Sequence, residues 1–347
     1  MALQSSGAIS LNNVNVELGN SGTAYINMGS AAVRGLFGVA SGAITMSDGY
    51  GASSGMDPAN TGVFGGGSLS TGAYLNVIDY ITISTTGNAA DFGDLTAIKS
   101  GTAGCASSTR GVFGGGFGGA YLNVIEYITI ASTGNGTDFG DLTQVRSSMG
   151  ALASTTRGVF GGGGYANGTY STGIDYITIA STGNASTFGT LVVNNRSLAG
   201  LASSTRGVFA GGSYPYVDRD DIEYITIAST GNGTDFGNLT IGRSALAGLA
   251  SSTRGLMGGG YAGAHLISID YITIASTGNA SDFGDMTNSR NGNAGLASST
   301  RGVFAGGYDN GTFLNIIDYV TIASTGNASD FGDMTNSRTG NAGLAGA

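Results

Sequence analysis

The chain has no tryptophan, a single cysteine (Cys105), a single histidine (His265) and only two prolines. One cysteine excludes an internal disulfide and any zinc site built on several thiolates. One histidine has no second imidazole with which to share a metal, so neither metal nor cofactor is expected. Charge is scarce too. Asp, Glu, Lys and Arg make up 10% of the residues, with 13 basic against 22 acidic side chains and a formal net charge of −9. Ordinary globular proteins carry roughly 25%. Nucleic acid is bound by a Lys/Arg stripe, and none exists here, so it is excluded as a partner. No run of about 18 apolar residues occurs, so no membrane insertion is expected. The opening residues "MALQSSGAISLNNVNV" lack a basic stretch followed by an apolar one, so no secretory signal is expected.

What the chain has in excess is glycine, 65 residues, much of it in one recurring phrase. "GVF" or its variant begins at Gly62, Gly111, Gly158, Gly207, Gly255 and Gly302, at spacings of 49, 47, 49, 48 and 47 residues. A period near 48 belongs with four-stranded propeller blades. Each repeat divides into four extended pieces: "AGLASS", "GVFGGG", the alternating β-branched "IDYITIAS", and "TDFGDLT". "STGN" joins the third to the fourth as a tight turn. No helical periodicity is sustained within the repeats. The first repeat begins at "GVFGGG" (Gly62–Gly67) without a preceding "AGLASSTR", while "NAGLAGA" (Asn341–Ala347) has no strand after it. The expectation is an all-β, six-bladed propeller over 59–347, closed by a C-terminal innermost strand and preceded by a small N-terminal attachment segment, 1–58. Closure of this kind removes exposed sheet edges.

The repeat "IDYITIASTGNASDFGDMTNSRNGNAGLASSTRGVFAGG" (Ile269–Gly307) resembles the kelch family: a strand ending in Gly-Gly, a later Tyr strand, an aromatic on the fourth strand and small residues on the innermost one. It departs from that family in having Phe92, Phe139, Phe188, Phe236, Phe283 and Phe331 where kelch repeats usually have Trp. Residues Ser5–Gly51 resemble the leader of tail and fibre proteins of tailed bacteriophages, especially those of marine cyanobacteria. That resemblance implies a virion location, with other virion proteins as partners through residues 1–58 and scope for a homo-oligomer.

Enzyme chemistry finds little support in the residues. Gly114, Gly116 and Gly119 fit G-x-G-x-x-G, but a strand follows instead of the helix N-terminus that would receive a pyrophosphate. Some kelch-like propellers are copper oxidases and some six-bladed ones are sialidases. The first needs several imidazoles, and the second an Arg cluster of which Arg219 is the lone member in the loops between second and third strands. Cys105 occupies the Leu position of "AGLASS" and reads as a core residue. The Asn-X-Ser/Thr sequences at Asn135, Asn184, Asn232 and Asn279 read as turns. No catalytic residue is assigned.

Charges recur once per blade. Asp79, Glu126, Asp175, Glu223, Asp270 and Asp318 open the third strand, and Lys99, Arg146, Arg196, Arg243, Arg290 and Arg338 follow the fourth, so a rim of ion pairs is expected. At the opposite rim Arg110, Arg157, Arg206, Arg254 and Arg301 are expected near Asp138, Asp235, Asp282 and Asp330. The loops between second and third strands are where the repeats disagree: "SLSTGAYLNV", "FGGAYLNV", "GYANGTYSTG", "SYPYVDRDD", "YAGAHLIS" and "YDNGTFLN". They share one face and use the Tyr, Gly, Ser and Asn palette of binding loops. Tyr74, Tyr121, Tyr165, Tyr170, Tyr214, Tyr216, Tyr261 and Tyr308 are therefore the candidate ligand-binding residues. The expected function is recognition of a host-surface polysaccharide or protein. The alternatives are a structural decoration or spacer protein of the virion, and a kelch-type protein–protein adaptor.

Overall fold

A computed structural model describes residues 14, 17–18, 30–37, 56–215 and 217–346. The chain forms two compact units, Met1–Asp57 and Pro58–Ala347. In the first, a helix over Ala31–Phe37 buries Val33, Leu36 and Phe37, the i, i+3, i+4 stripe of one helical face. Most of the expected attachment segment lies outside the described residues.

The second unit is a six-bladed β-propeller. Each blade is a four-stranded antiparallel sheet; blade four, for example, runs Ala199–Ala202, Arg206–Ala210, Asp221–Thr226 and Thr234–Asn238 from the inside out. Blade one takes its innermost strand from the far end of the chain. Ala342–Ala345 pairs antiparallel with Thr61–Gly65, placing Val63 opposite Leu344, and Val77–Thr82 and Ala90–Asp94 complete the sheet. The innermost strands adjoin one another all round, and Ala342–Ala345 sits between Ala294–Ala297 of blade six and Ala103–Ala106 of blade two. They approach so closely that a Cβ at Gly295 would lie 2.6 Å from the Gly248 carbonyl oxygen. That contact explains why "AGLA" keeps a glycine at the channel wall.

The apolar core lies in the seams between blades. Between blades four and five, Val208, Ile222, Phe236 and Leu239 meet Met257, Ile272 and Ile274. Because both faces of every sheet are covered, the third strand does not alternate polar with apolar. Val77–Thr82 buries Ile78, Asp79 and Ile81 alike. Cys105, in the Leu position of blade two, is buried, and burial pushes its thiol up to about 12. It remains protonated and packs as a small hydrophobe.

Three polar devices tie each blade to the next. Around the channel mouth, Gly101, Ser148, Ser197, Ala245, Gly292 and Gly340 all have φ between 54° and 68°. Each donates its backbone N–H to the carbonyl of the member before it, and Gly101 donates to Gly340, so six hydrogen bonds of 2.7–2.8 Å form a closed loop. At the outer edge, the Asn of each "STGN" turn accepts a backbone N–H from the preceding blade's outermost strand, as Asn135 does from Asp94 at 3.0 Å and Asn88 from Asp333 at 3.0 Å. The invariant turn therefore covers the edge strand of its neighbour, which would otherwise be free to pair with another chain. The third device is the "STR" arginine. Arg110, Arg157, Arg206, Arg254 and Arg301 each donate to a carbonyl of the following blade while stacking on a tyrosine of their own, at 4.1 Å for Arg110 over Tyr127. This corrects the expected pairing with Asp138, Asp235, Asp282 and Asp330. Those carboxylates are exposed, and no ion pair joins them to these arginines among the described residues.

Candidate binding site on the variable-loop face

The loops between second and third strands gather at the face where the innermost strands begin and the outermost strands end. Just beneath that face lie the once-per-blade charges, and they are buried rather than solvated. The basic residue after one blade's outermost strand pairs with the acid opening the next blade's third strand. Arg146 meets Asp175 at 2.7 Å, Arg243 meets Asp270 at 2.6 Å, Arg290 meets Asp318 at 2.5 Å, Arg338 meets Asp79 at 3.0 Å, and Lys99 meets Glu126. All ten side chains are at most 3% exposed, so these pairs are not the weak surface kind. Burial pulls the Arg146, Arg290 and Arg338 guanidiniums down, while their Asp partners hold them charged. Thr143, Thr240, Thr287 and Thr335 each hydrogen-bond the same carboxylates through Oγ1.

The acid and the turn after it are coupled. Where the acid is Asp, the residue ten positions on is alanine (Ala89, Ala185, Ala280, Ala328); where it is Glu126 or Glu223, that residue is Gly136 or Gly233. A Cβ at Gly136 would lie 2.7 Å from Glu126 Oε2, and the clash at Gly233 with Glu223 would be tighter. The longer acid needs the smaller neighbour.

Between blades three and four the pattern breaks. The buried cation position holds Asn195, whose Nδ2 donates to the Gly211 carbonyl at 2.6 Å. Arg196, expected among the paired bases, stands one residue further along, at the position of Ser147 and Ser244. The one-residue shift turns its side chain out of the seam, and the guanidinium rests half-buried over the Tyr170 ring, 4.9 Å from its centroid. Glu223 is left 6% exposed with the Val192 N–H at 2.8 Å on its carboxylate and, among the described residues, no cation in an ion pair with it. Burial raises its pKa above the usual carboxylate range; the Val192 and Val193 N–H groups and Arg219 oppose that, and Asp221 adds to it. The folded state therefore holds this proton longer than the unfolded chain, and stability falls as pH rises from the ordinary Glu value through the raised one. Glu223→Gln removes that fall. Its melting temperature should match the wild type near pH 4 and exceed it increasingly toward pH 7; scanning calorimetry across that range would refute this if the two profiles ran parallel.

On the loop face itself, aromatic rings meet edge to face across alternate seams. Tyr74 of blade one reaches Phe117 of blade two at 5.7 Å, and Phe117 reaches Tyr121 at 5.0 Å. Tyr170 of blade three meets Tyr214 of blade four at 5.6 Å. His265 of blade five lies between Tyr261 at 5.4 Å and Tyr308 of blade six at 5.2 Å, and Tyr308 meets Phe313 at 5.3 Å. Tyr165 is half-buried in a short hairpin, Gly164–Tyr165 with Thr169–Tyr170, and Tyr216 lies outside the described residues. Six of the eight candidate tyrosines thus form three groups, with Phe117, His265 and Phe313, which the sequence reading did not single out; Tyr170, expected as a ligand-binding residue, is buried at 6% exposure beneath Arg196. Aromatic residues at matching places in neighbouring loops were the available signal.

The channel mouth on this face is a depression of about 110 Å³ lined in part by Met149, Leu198, Leu246, Asn293 and Asn341. The opposite mouth, about 300 Å³, is lined by alanine, serine and threonine. Neither lining includes a charged side chain. Among the described residues no group of three His, Cys, Asp or Glu could hold a metal ion. Compared with known proteins, the sequence matches no family model and no curated protein.

Proposed function

We propose that the protein is a non-enzymatic recognition module whose propeller presents the variable-loop face to a saccharide on a cell surface. The observation that supports this is the concentration of aromatic rings, all but the buried Tyr170 at least partly exposed, in three groups on the one face where otherwise near-identical blades differ. Tyrosine gives rigid, amphipathic contact area, which suits stacking against a sugar ring. The virion setting, attachment through residues 1–58 and the kelch-like character rest on the sequence resemblances alone. The decoration or spacer reading is favoured by the opposite face, where repeated "STGN" turns and serine-lined tips vary little.

A glycan array separates the two. Full-length protein should bind a defined set of oligosaccharides, and Tyr214→Ala combined with Tyr261→Ala should weaken that binding about tenfold or more without moving the melting temperature. Equal binding by the double variant, or none by the wild type, would leave the decoration reading standing.

A further inference from the structure

One seam of six has been rebuilt, and the changes converge on the loop face. At the other five, a Lys or Arg is spent in a buried ion pair. Between blades three and four that cation has moved one residue along, leaving a buried carboxyl behind it, and the guanidinium of Arg196 lies on Tyr170 with no hydrogen bond or ion pair of its own among the described residues. A local inconsistency kept at a stability cost is the pattern found at functional positions. The ring beside it, Tyr214, is 37% exposed and meets Tyr170 edge to face. Ser213 bridges the backbone of Arg196 on one side and of Asp218 on the other, so Asp218 stands in the loop segment next to it.

The charge around this spot decides the ligand class. Of the propeller's basic side chains, five lie in buried pairs, five are clamped by a carbonyl and a tyrosine, and Arg219 is paired with Asp221 at 2.6 Å. Among the described residues, Arg196 is the propeller's one guanidinium with neither a hydrogen bond nor an ion pair. Asp218 and Asp220 stand in the neighbouring loop, Asp309 in the loop of blade six, and Asp94, Asp141, Asp285 and Asp333 end outermost strands at this face. Such a surface repels polyanions and leaves hydrogen bonding and stacking as the means of recognition.

We propose that the seam between blades three and four is the saccharide subsite of the loop face. Tyr214 forms its stacking platform, backed edge to face by the buried Tyr170, Arg196 donates to and Asp218 accepts from ligand hydroxyls, and the ligand is an uncharged sugar ring. This rests on the saccharide reading of the loop face and goes further in naming the seam and the class.

The test uses the full chain and a seam restored to the pattern between blades one and two, where Lys99 pairs with Glu126 and Ser100 follows it. Asn195→Lys with Arg196→Ser should raise the melting temperature by several degrees, by giving Glu223 its cation, and weaken binding to immobilised neutral hexose oligosaccharides at least tenfold. Arg196→Gln, which leaves the seam otherwise as it is, should weaken the same binding with little change in melting. Uronate oligosaccharides should bind the wild type more weakly than the same oligosaccharides with their carboxyls reduced to alcohols. Undiminished binding by both variants, alongside loss in Tyr261→Ala, would overturn this subsite while keeping the loop-face function. Preference for the uronate form would overturn the ligand class. No binding to any saccharide would overturn both readings together.

Discussion

Deleting residues 341–347 should unfold the propeller rather than trim it. The deletion removes the innermost strand of blade one, Ala342–Ala345, and with it the pairing to Gly62–Gly65. Leu344 is 3% exposed and packs over Gly111 of blade two, so its loss alone compares with a large-to-small core change, about 2–5 kcal/mol. Each lost strand hydrogen bond adds about 1 kcal/mol. Together these approach the whole stability of a typical domain, about 5–15 kcal/mol. What is left would expose Thr61–Gly65 as an apolar edge and part the innermost strands of blades six and two. Circular dichroism and size-exclusion chromatography should show an unfolded or aggregated protein, and a peptide spanning 341–347 added during refolding should restore part of the folded fraction. A truncated protein that melts cooperatively within a few degrees of the full chain would show that closure does not depend on this strand.

The second large effect is expected at a buried pair. Arg290→Met keeps most of the side-chain volume but leaves Asp318 with no cation, and removing one partner of such a pair costs about 3–5 kcal/mol. The guanidinium also donates to the Ile316 carbonyl at 3.2 Å, which would lose that partner. Changing both members, Arg290→Met with Asp318→Leu, should recover most of the loss, because two apolar groups carry no desolvation penalty. Urea denaturation of wild type, single and double variants measures this directly. A single-variant loss below about 1 kcal/mol would mean that the pair behaves as a solvated one.

Much of the fold could be read from the chain because each blade repeats its own punctuation. The period, the four strands and the innermost strand supplied by Ala342–Ala345 all follow from where "GVF" and "AGLA" recur. Contacts between blades were harder to read. Strand order alone puts Asp79 and Lys99 at one rim, yet Lys99 belongs to Glu126 of the next blade and Asp79 to Arg338 from the other end of the chain. Their depth was hidden as well, because a residue at a strand end looks solvated until the neighbouring sheet is laid over it. Arg196 was misread for a related reason: "NNR" keeps the arginine in a similar place along the chain but shifts it by one residue, and one residue reverses which way a side chain points. Arg110 was matched with carboxylates by charge, when the available partner was the face of Tyr127.

The coupling between acid, base and turn bears on how such an array can change by duplication. Lys99, Glu126 and Gly136 fit one another, as Arg243, Asp270 and Ala280 do, and each set is contributed by parts of two consecutive sheets. A duplication that copied the whole sheet holding Glu126, Gly136 and Arg146 would place Arg146 against a second Glu126, a combination found at no other joint. One that copied the contiguous stretch from a base to the glycine or alanine of the following turn would carry a matched set with it. The matched unit in this array is the joint between sheets, and the visible blade is what two successive joints leave between them.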